Sequence, residues 1–206
     1  YEIMPSLVGS EMCIRDSFNM PPMITNAQIF VLILAMSITS ALFADKYRLD
    51  RFDSDPASRW SFISDQVMGG ISTGKVEFRQ YPGEVHAHME GNVSTQNNGG
   101  FIQFRIKNIE TLSKDTTGVF LSAKGNNERY FVHLRTKWTM MPWHYYQAEF
   151  DVTDVWEEFH LPFASFSPSS SMLPKAPTSK SITAIGVVAF GRDHKVDIRV
   201  REIGFY

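Results

Sequence analysis

Two histidines at alternate positions of one segment are the first residues whose spacing suggests chemistry. His86 and His88 lie in the alternating run from Val85 to Glu90, and side chains at i and i+2 of a strand point to the same side. With a third ligand, the pair would suit zinc or copper. No cysteine is near, and Glu90 would need help from another strand. We therefore expect two solvated histidines on the outer face of a strand, with a metal site as the alternative.

An acidic residue ahead of a glycine pair forms the most unusual local sequence. Asp65 opens the run Asp-Gln-Val-Met-Gly-Gly-Ile-Ser, which contains Met68, Gly69 and Gly70 and ends at Ser72. Glycines let the backbone turn where a Cβ would clash, so the run predicts an ordered loop. The Asp65 carboxylate either accepts hydrogen bonds from nearby backbone amides, which is the role we favour, or faces a ligand.

A second glycine pair follows in the run Asn97-Asn98-Gly99-Gly100. Asparagine and glycine both tolerate positive φ, so this run predicts another turn. The two glycine loops bracket the strands between them.

Three arginines occupy positions where a polar sheet face is expected. Arg105, Arg129 and Arg135 lie in predicted strands or at their ends. Such a row is usually a solvated face. The alternative is that Arg105 and Arg135 lie beneath the Asp65 loop and bind its carboxylate through paired hydrogen bonds.

An aromatic cluster surrounds Pro142. It contains Trp138, Trp143, Tyr145 and Tyr146. Aromatic faces can stack on sugar rings, but aromatics also fill the interiors of β-sandwiches. We favour burial, with the two tryptophans closing one end of the core, over a sugar-binding surface.

The chain lacks the short motifs of common enzymes. It has no Gly-x-Ser-x-Gly elbow and no glycine-rich phosphate loop between a strand and a helix. We therefore expect no catalytic residue and no cofactor. A structural calcium ion near Asp53, Asp55 or Asp65 stays an open alternative, although EF-hand spacing is absent.

Composition limits the partners. The chain has 206 residues, with 20 Lys and Arg against 22 Asp and Glu, which fits one nearly neutral domain without the basic excess of a nucleic-acid-binding protein. The one cysteine, Cys13, has no partner for an intramolecular disulfide. Phenylalanine is frequent, with 16 residues, which favours a core of packed rings.

The first 44 residues differ from the rest. Residues 1–19 include a run that resembles the start of unrelated conceptual translations, and we exclude them from the fold. Residues 29–44 are apolar and then rich in small residues, which predicts a secretory signal cut near Ala41 or Ala44 within residues 20–44. The protein is then secreted or periplasmic. The alternative is a membrane anchor formed by residues 29–44, although that stretch is short for a span.

Alternation of apolar and polar residues dominates from residue 45 to the end. It predicts strands over residues 75–79, 85–90, 101–107, 118–123, 130–136, 145–152, 155–161, 182–190 and 196–205. The 182–190 strand is nearly all apolar, which predicts burial on both sides. Residues 162–180 predict a surface loop pinned by Phe163 and Phe166. The pattern indicates one all-β domain over residues 45–206, an antiparallel β-sandwich of jelly-roll type.

Three segments together resemble a known family. The Asp65–Ser72 run, then Asn97-Asn98-Gly99-Gly100-Phe101, then Leu161-Pro162-Phe163 with Phe166 are similar to those of the complex I intermediate-associated protein 30 family. The resemblance covers about residues 52–206. It implies a galactose-binding-like β-sandwich and a non-enzymatic role in the assembly of a respiratory complex, with subunits of that or another membrane complex as protein partners.

Two functions follow from these observations. The first is an interaction protein of the assembly-factor type, and the alternative is a secreted carbohydrate-binding module with a glycan partner. The predicted binding surface for either function comprises Asp65, Met68, Gly69, Gly70, Ser72, Asn98, Gly99, Gly100, Arg105, Arg135, Trp143 and Tyr146.

Overall fold

The computed structural model describes residues 46–81 and 83–206. The predicted signal or anchor and Cys13 lie outside these residues and stay predictions. None of the helical segments in the described part has the length and hydrophobicity needed to span a bilayer.

Strands make up most of the described chain. They are β1 (Tyr47–Asp50), β2 (Trp60–Ser64), β3 (Thr73–Tyr81), β4 (Glu84–Val93), β5 (Phe101–Lys107), β6 (Gly118–Gly125), β7 (Arg129–Thr136), β8 (Tyr146–Asp151), β9 (Glu157–Pro162), β10 (Ser167–Pro168), β11 (Ile182–Phe190) and β12 (His194–Phe205). The helical segments are short: α1 (Pro56–Arg59) and four 3₁₀ turns (Asp65–Met68, Gln96–Asn98, Phe163–Ser165 and Ser179–Ser181).

The strands form two antiparallel sheets. The first sheet has the order β3-β4-β12-β6-β9, with β1 also paired to β12, and the second has the order β10-β8-β7-β11-β5-β2. This arrangement confirms the predicted all-β antiparallel sandwich. Most predicted strands match observed ones to within about two residues at either end, because the alternation of buried and exposed residues runs through the whole length of each strand.

The core lies between the inner faces of the two sheets. In β5, Ile102, Phe104 and Ile106 point inward, while the residues between them point outward. In the same way β7 sends Val132 and Leu134 inward. Burial of each large apolar side chain contributes about 1.5 to 3 kcal/mol to the stability of the fold. The inward positions are therefore constrained by stability, and functional side chains are expected at the outward positions.

Strand β11 is buried on both sides, as its apolar sequence predicted. Ile185 and Val187 belong to the core, whereas Ala184 and Val188 point outward yet are also covered. At Gly186, the side chains of Gln103 and Arg105 on the flanking strand β5 approach this central strand. On the outer face of the second sheet, the small and apolar residues of β11 are therefore bordered by larger polar residues of the neighbouring strands.

The segment between β9 and β11 is anchored as predicted. Phe163 and Phe166 are both buried, and their rings contact each other edge to face at 6.4 Å. The segment also contains the two-residue strand β10, which pairs with β8 at the edge of the second sheet.

Candidate functional site

The Asp65 carboxylate joins the two glycine loops. One oxygen, Oδ1, accepts a hydrogen bond from the backbone N–H of Ser72 at 2.9 Å. The other, Oδ2, accepts hydrogen bonds from the Ser72 hydroxyl and from the N–H groups of Gly100 at 2.6 Å and Phe101 at 3.3 Å. Asp65 is 0% exposed. Its side chain therefore connects the segments around it and does not reach the surface.

The glycines are required by this carboxylate. A Cβ on Gly70 would lie 2.5 Å from Asp65 Oδ1, and one on Gly99 would lie 2.9 Å from Asp65 Cγ. Gly69 has φ +88°, a left-handed conformation that favours glycine. Enclosure acts to raise the pKa of Asp65, but the hydrogen bonds from Ser72, Gly100 and Phe101 outweigh it and lower the pKa below its ordinary value.

Both loops expose residues on either side of the enclosed carboxylate, and in the Asp65 loop these include Gln66 and Gly69. Val67, Met68 and Ile71 are exposed large hydrophobic residues, and Asn98 is exposed with φ 55°. Ser72 and Gly100 are buried with Asp65. Of the predicted surface, these loops thus contribute the Met68 and Asn98 side chains, while Asp65 and Ser72 lie inside.

Arg135 holds the loop that follows β7 and not the Asp65 loop of the alternative prediction. Its guanidinium donates hydrogen bonds to the backbone carbonyls of Thr139 (2.7 Å), Met141 (2.9 Å) and Pro142 (3.0 Å). The Asp65 carboxylate has its hydrogen bonds from Ser72, Gly100 and Phe101 instead. The alternative in which arginines bind Asp65 is therefore wrong: Arg135 fixes residues 137–144, which we call the tryptophan loop.

The tryptophan loop projects large apolar side chains into solvent. Trp138 is 63% exposed and Trp143 is 61% exposed, and Met140 and Met141 are exposed beside them. We expected the two tryptophans to close the core, and that expectation is wrong, because the three carbonyl groups held by Arg135 fix the loop with these side chains outward. Tyr146 differs from them: it is 0% exposed and belongs to the core, so it is not part of the surface.

A polar row crosses the outer face of the second sheet. Cross-strand pairing aligns Ser61, Arg105, Gly186, His133 and Gln147 in that order. Gly186 lies at the centre, where a Cβ would approach the backbone oxygen of Phe104 to 3.2 Å. Because Gly186 has no side chain, the surface is recessed at the centre of the row, between Arg105 and His133.

Aromatic rings surround His133 on this face. The ring of Tyr145 stacks on it with centroids 4.1 Å apart and planes 9° apart, and Phe190 meets it edge-on at 5.7 Å. Burial lowers the pKa of His133 to about 3, although Gln147 acts in the opposite direction. His133 is therefore neutral at physiological pH. We call the surface formed by Arg105, His133, Tyr145, Gln147 and Phe190 the second-sheet face.

Several polar atoms on the second-sheet face lack a partner of good geometry. Nε of Arg105 is buried without a hydrogen bond from the described residues, and Nε2 of His133 and Oε1 of Gln147 are buried without one of good geometry, although the two side chains interact. Buried polar atoms are nearly always satisfied. The second-sheet face therefore has hydrogen-bonding capacity that the described residues leave unused.

Two uncompensated guanidinium groups lie at one end of this face. Arg105 and Arg135 make no ion pair within the described residues. Burial, and for Arg105 also the charge of Arg135, lowers their pKa values. A cavity of about 380 Å³ lies between them and residues Met140 and Pro142 of the tryptophan loop. Arg129 differs, because Asp151 and Glu149 neutralise it.

The histidine pair lies on the outer face of the first sheet, as predicted, but is not solvated. His86 is 7% exposed and His88 is 6% exposed, because the larger side chains of neighbouring strands cover them. His88 Nε2 contacts Asp197 Oδ1 at 2.9 Å, and the His86 ring meets that of Trp156 at 6.0 Å. Within the described residues, no group of three or more His, Cys, Asp or Glu side chains is placed to hold a metal ion.

Sequence analysis missed His133, Gln147 and Phe190. All three occupy outward positions of predicted strands, so the alternation did contain the signal. What it lacked was the order of the strands in the sheet, which brings these positions side by side.

Solved structures with this architecture define the class of fold. The family 11 carbohydrate-binding module of the cellulosomal cellulase Lic26A-Cel5E of Clostridium thermocellum superposes with a TM-score of 0.61 at 12% identity, covering 79% of this chain and 95% of that one. The Clostridium thermocellum family 11 module in complex with a β-1,3-1,4-mixed-linked tetrasaccharide gives 0.58 at 12% identity, covering 78% and 94%. The fold is thus the jelly-roll sandwich of such modules. No curated protein matches the sequence.

The family follows from the sequence itself. The model of the complex I intermediate-associated protein 30 (CIA30) family matches residues 50–197. The chain belongs to this family, as the glycine loops and the Leu161-Pro162-Phe163 segment predicted.

Proposed function

We propose that this protein is a non-catalytic binding protein that assists the assembly of a respiratory or other membrane complex by binding one of its subunits. The tryptophan loop and the adjoining end of the second-sheet face form the contact. The observation that carries the proposal is the exposure of Trp138, Met140, Met141 and Trp143 on a loop fixed by Arg135.

The chemistry of this loop suits a protein partner. Tryptophan and methionine are enriched in the buried centres of protein interfaces, and contiguous exposed apolar residues mark interaction sites. Because Arg135 already fixes the backbone, binding does not require the loop to be ordered first, which lowers the entropic cost of association.

The two arginines beside the loop add specificity. A carboxylate on the partner would pair with Arg105, whose Nε is buried without a hydrogen bond. Charge-assisted hydrogen bonds of this kind are about twice as strong as neutral ones. We therefore expect the partner to present an acidic residue next to an apolar patch.

Quantitative co-purification from detergent-solubilised membranes tests this proposal. A double variant, Trp138→Ala with Trp143→Ala, should lose membrane-complex subunits that the wild type retains. Val155→Ala is a matched control, because Val155 is also an exposed large hydrophobic residue but lies outside the loop. Equal recovery of subunits with the double variant and the wild type would exclude the tryptophan loop as the contact.

A second candidate function is glycan binding at the centre of the second-sheet face. It is favoured by the stacked His133 and Tyr145 rings beside the unsatisfied Nε of Arg105 and Oε1 of Gln147. Sugar rings bind through apolar contact with aromatic rings and hydrogen bonds at their edges. Both features occur together on this face.

Affinity electrophoresis in gels containing soluble mixed-linkage glucan tests the glycan candidate. Tyr145→Ala should abolish any retardation, whereas the tryptophan-loop double variant should leave it unchanged if glycan binds only at the centre. Retardation lost in the loop variant but kept in Tyr145→Ala would place sugar binding on the loop. Without retardation of the wild type, this candidate is eliminated for that polysaccharide.

A further inference from the structure

A strongly basic cavity opens on the outer face of the first sheet, on the other side of the sandwich from the second-sheet face. Its volume is about 530 Å³. Six of the side chains that line it are basic: Arg79, His86, His88, Lys124, Arg199 and Arg201. We call it the basic cavity.

Strand register brings these side chains together. Arg79 pairs with His86 across β3 and β4. On the central strand β12, Arg199 pairs with His88 on one side and with Lys124 on the other. The pairing of β12 with β6 is irregular between Val200 and Glu202, which is where Arg201 joins the cluster. All these residues are at outward positions of rigid strands, so the cavity is built by the sheet and not by a loop.

Carboxylates compensate only part of this charge. Arg79 Nη2 lies 3.3 Å from Glu77, and Asp197 is shared by His88 at 2.9 Å and Arg199 at 3.5 Å. Within the described side chains, Lys124 and Arg201 have no carboxylate within 4 Å. Two cations of the cavity are therefore left without an anionic partner.

Both of these cations contact the ring of Trp156, which lines the same cavity. Lys124 Nζ lies 5.2 Å from the ring centroid and Arg201 Cζ lies 5.1 Å from it. Arg201 Nε donates a hydrogen bond to the Ser122 hydroxyl at 2.9 Å, which orients the guanidinium. Cation–π contacts stabilise both cations, but they leave N–H donors of both groups available and do not cancel their charge.

We propose that the basic cavity binds the oxyanion group of a small ligand, a phosphate, sulfate or carboxylate, through Lys124 and Arg201. An anion there would neutralise both cations and receive charge-assisted hydrogen bonds from both. The imidazoles of His86 and His88 form the recessed floor, at 7% and 6% exposure. A group that projects into the cavity can reach this depth, whereas a flat anionic membrane surface cannot, so the ligand is a discrete molecule.

Titration of the intact domain with inorganic phosphate and inorganic sulfate tests the proposal. Binding is followed by calorimetry at low ionic strength, since salt screens such contacts, and by the indole N–H signal of Trp156 in nitrogen-15 NMR, assigned through Trp156→Phe. We expect saturable binding and a shift of that signal. Lys124→Gln should weaken the affinity about tenfold, the loss of one charge-assisted hydrogen bond.

Lys114→Gln is the matched control. Lys114 is exposed, makes no ion pair within the described residues and lies outside the cavity, so the substitution removes the same charge and should leave the affinity unchanged. The contact that Lys124 makes within the fold is with the ring of Trp156, and melting curves of both variants check that the fold is retained.

The proposal is overturned if neither anion moves the Trp156 signal, or if Lys114→Gln weakens binding as much as Lys124→Gln does. Vesicles of phosphatidylglycerol and of phosphatidylcholine provide the last arm. If the protein binds the anionic vesicles but neither inorganic anion, the cavity recognises a membrane surface, and the proposal of a discrete ligand is rejected. These measurements do not involve the tryptophan loop, so they are independent of the proposed assembly function.

Discussion

Two loops at opposite ends of the second sheet are fixed by opposite charges. In the Asp65 loop a carboxylate accepts hydrogen bonds from backbone N–H groups, and in the tryptophan loop the guanidinium of Arg135 donates to backbone carbonyls. The first charge is completely enclosed, whereas the second is half-buried and borders a cavity.

This difference indicates that the Asp65 loop stabilises the fold, whereas the tryptophan loop presents a binding surface. The hydrogen bonds of the Asp65 carboxylate all come from residues of the two glycine loops and the first residue of β5, so the carboxylate itself is not available to a partner. Arg135 also uses its donors internally, but it lies beside Arg105 and beneath exposed aromatic side chains. The most unusual sequence in the chain thus builds the frame, and a less conspicuous loop presents the surface.

The largest expected effect comes from filling the space beside Asp65. In Gly70→Val, a Cβ would lie 2.5 Å from Asp65 Oδ1 and 2.8 Å from its Cβ. Gly70 does not have positive φ, so steric overlap and not backbone strain is the cause. We expect a loss of about 3 kcal/mol in the free energy of unfolding, measured by urea denaturation.

Ile71→Ala provides the comparison for Gly70→Val. Ile71 is the next residue in the loop and is exposed, so its truncation should change the free energy of unfolding by less than about 0.5 kcal/mol. If Gly70→Val is as stable as Ile71→Ala, the two glycine loops are not packed around Asp65 as described.

Removal of the carboxylate should have the next largest effect. Asp65→Ala leaves the N–H groups of Ser72 and Gly100 without their acceptor, and we expect a loss of about 2 kcal/mol. Asp65→Asn should also destabilise, by about 1 kcal/mol, because each carboxylate oxygen accepts an N–H and the amide nitrogen would face one of them. Denaturant titrations of both variants give these values.

A binding assay on the same Asp65 variants sharpens the comparison. Because Asp65 is enclosed, subunit recovery should fall only in proportion to the unfolded fraction. An unchanged denaturation midpoint for Asp65→Ala, together with lost binding, would move Asp65 from the scaffold to the binding surface.

The fold was predictable because the alternation of apolar and polar residues identifies each strand, and its buried face, from the sequence of that strand alone. The segment Phe101 to Lys107 shows its inner and outer faces directly, and most other strands do the same. The structural role of Asp65 was also predictable, because an acidic side chain beside a glycine turn commonly accepts hydrogen bonds from the backbone amides of that turn.

The surfaces were less predictable because they depend on pairing between distant strands. Nothing local to His133 indicates that Arg105 and Gln147 lie in the same row, and nothing local to Lys124 indicates Arg199 beside it. The exposure of Trp143 was mispredicted for a related reason: side-chain type favours burial, but the hydrogen bonds of Arg135 to the loop carbonyls decide its direction.

Acid should destabilise the second-sheet face through His133. Its pKa is about 3 in the folded protein and about 6.5 in the unfolded chain. Between these values the unfolded state binds a proton that the folded state does not, so stability falls as pH decreases below about 6.5. We expect the free energy of unfolding to fall by about 1 kcal/mol between pH 6.5 and 4.5. This is less than a fully enclosed histidine would give, because the ring is partly accessible to solvent.

His133→Gln isolates this effect. Carboxylates titrate equally in both proteins, so the difference between wild type and His133→Gln in urea titrations at the two pH values reports His133 alone. The free energy of unfolding of the wild type minus that of His133→Gln should therefore decrease as the pH is lowered. If it does not decrease, His133 takes up its proton in the folded state as readily as in the unfolded chain, and the face is charged instead of neutral.

The smallest effect on stability is expected at the tryptophan loop. Trp143→Ala removes a side chain that is 61% exposed, and the loop keeps its three hydrogen bonds from Arg135 because these go to backbone carbonyls. We expect the free energy of unfolding to change by about 0.5 kcal/mol or less, measured by urea denaturation. Arg135→Gln should cost more, since it leaves those carbonyls without their donor. If Trp143→Ala is instead as destabilising as Arg135→Gln, the tryptophan packs against the loop in solution, and its exposure, on which the proposed contact depends, is lost.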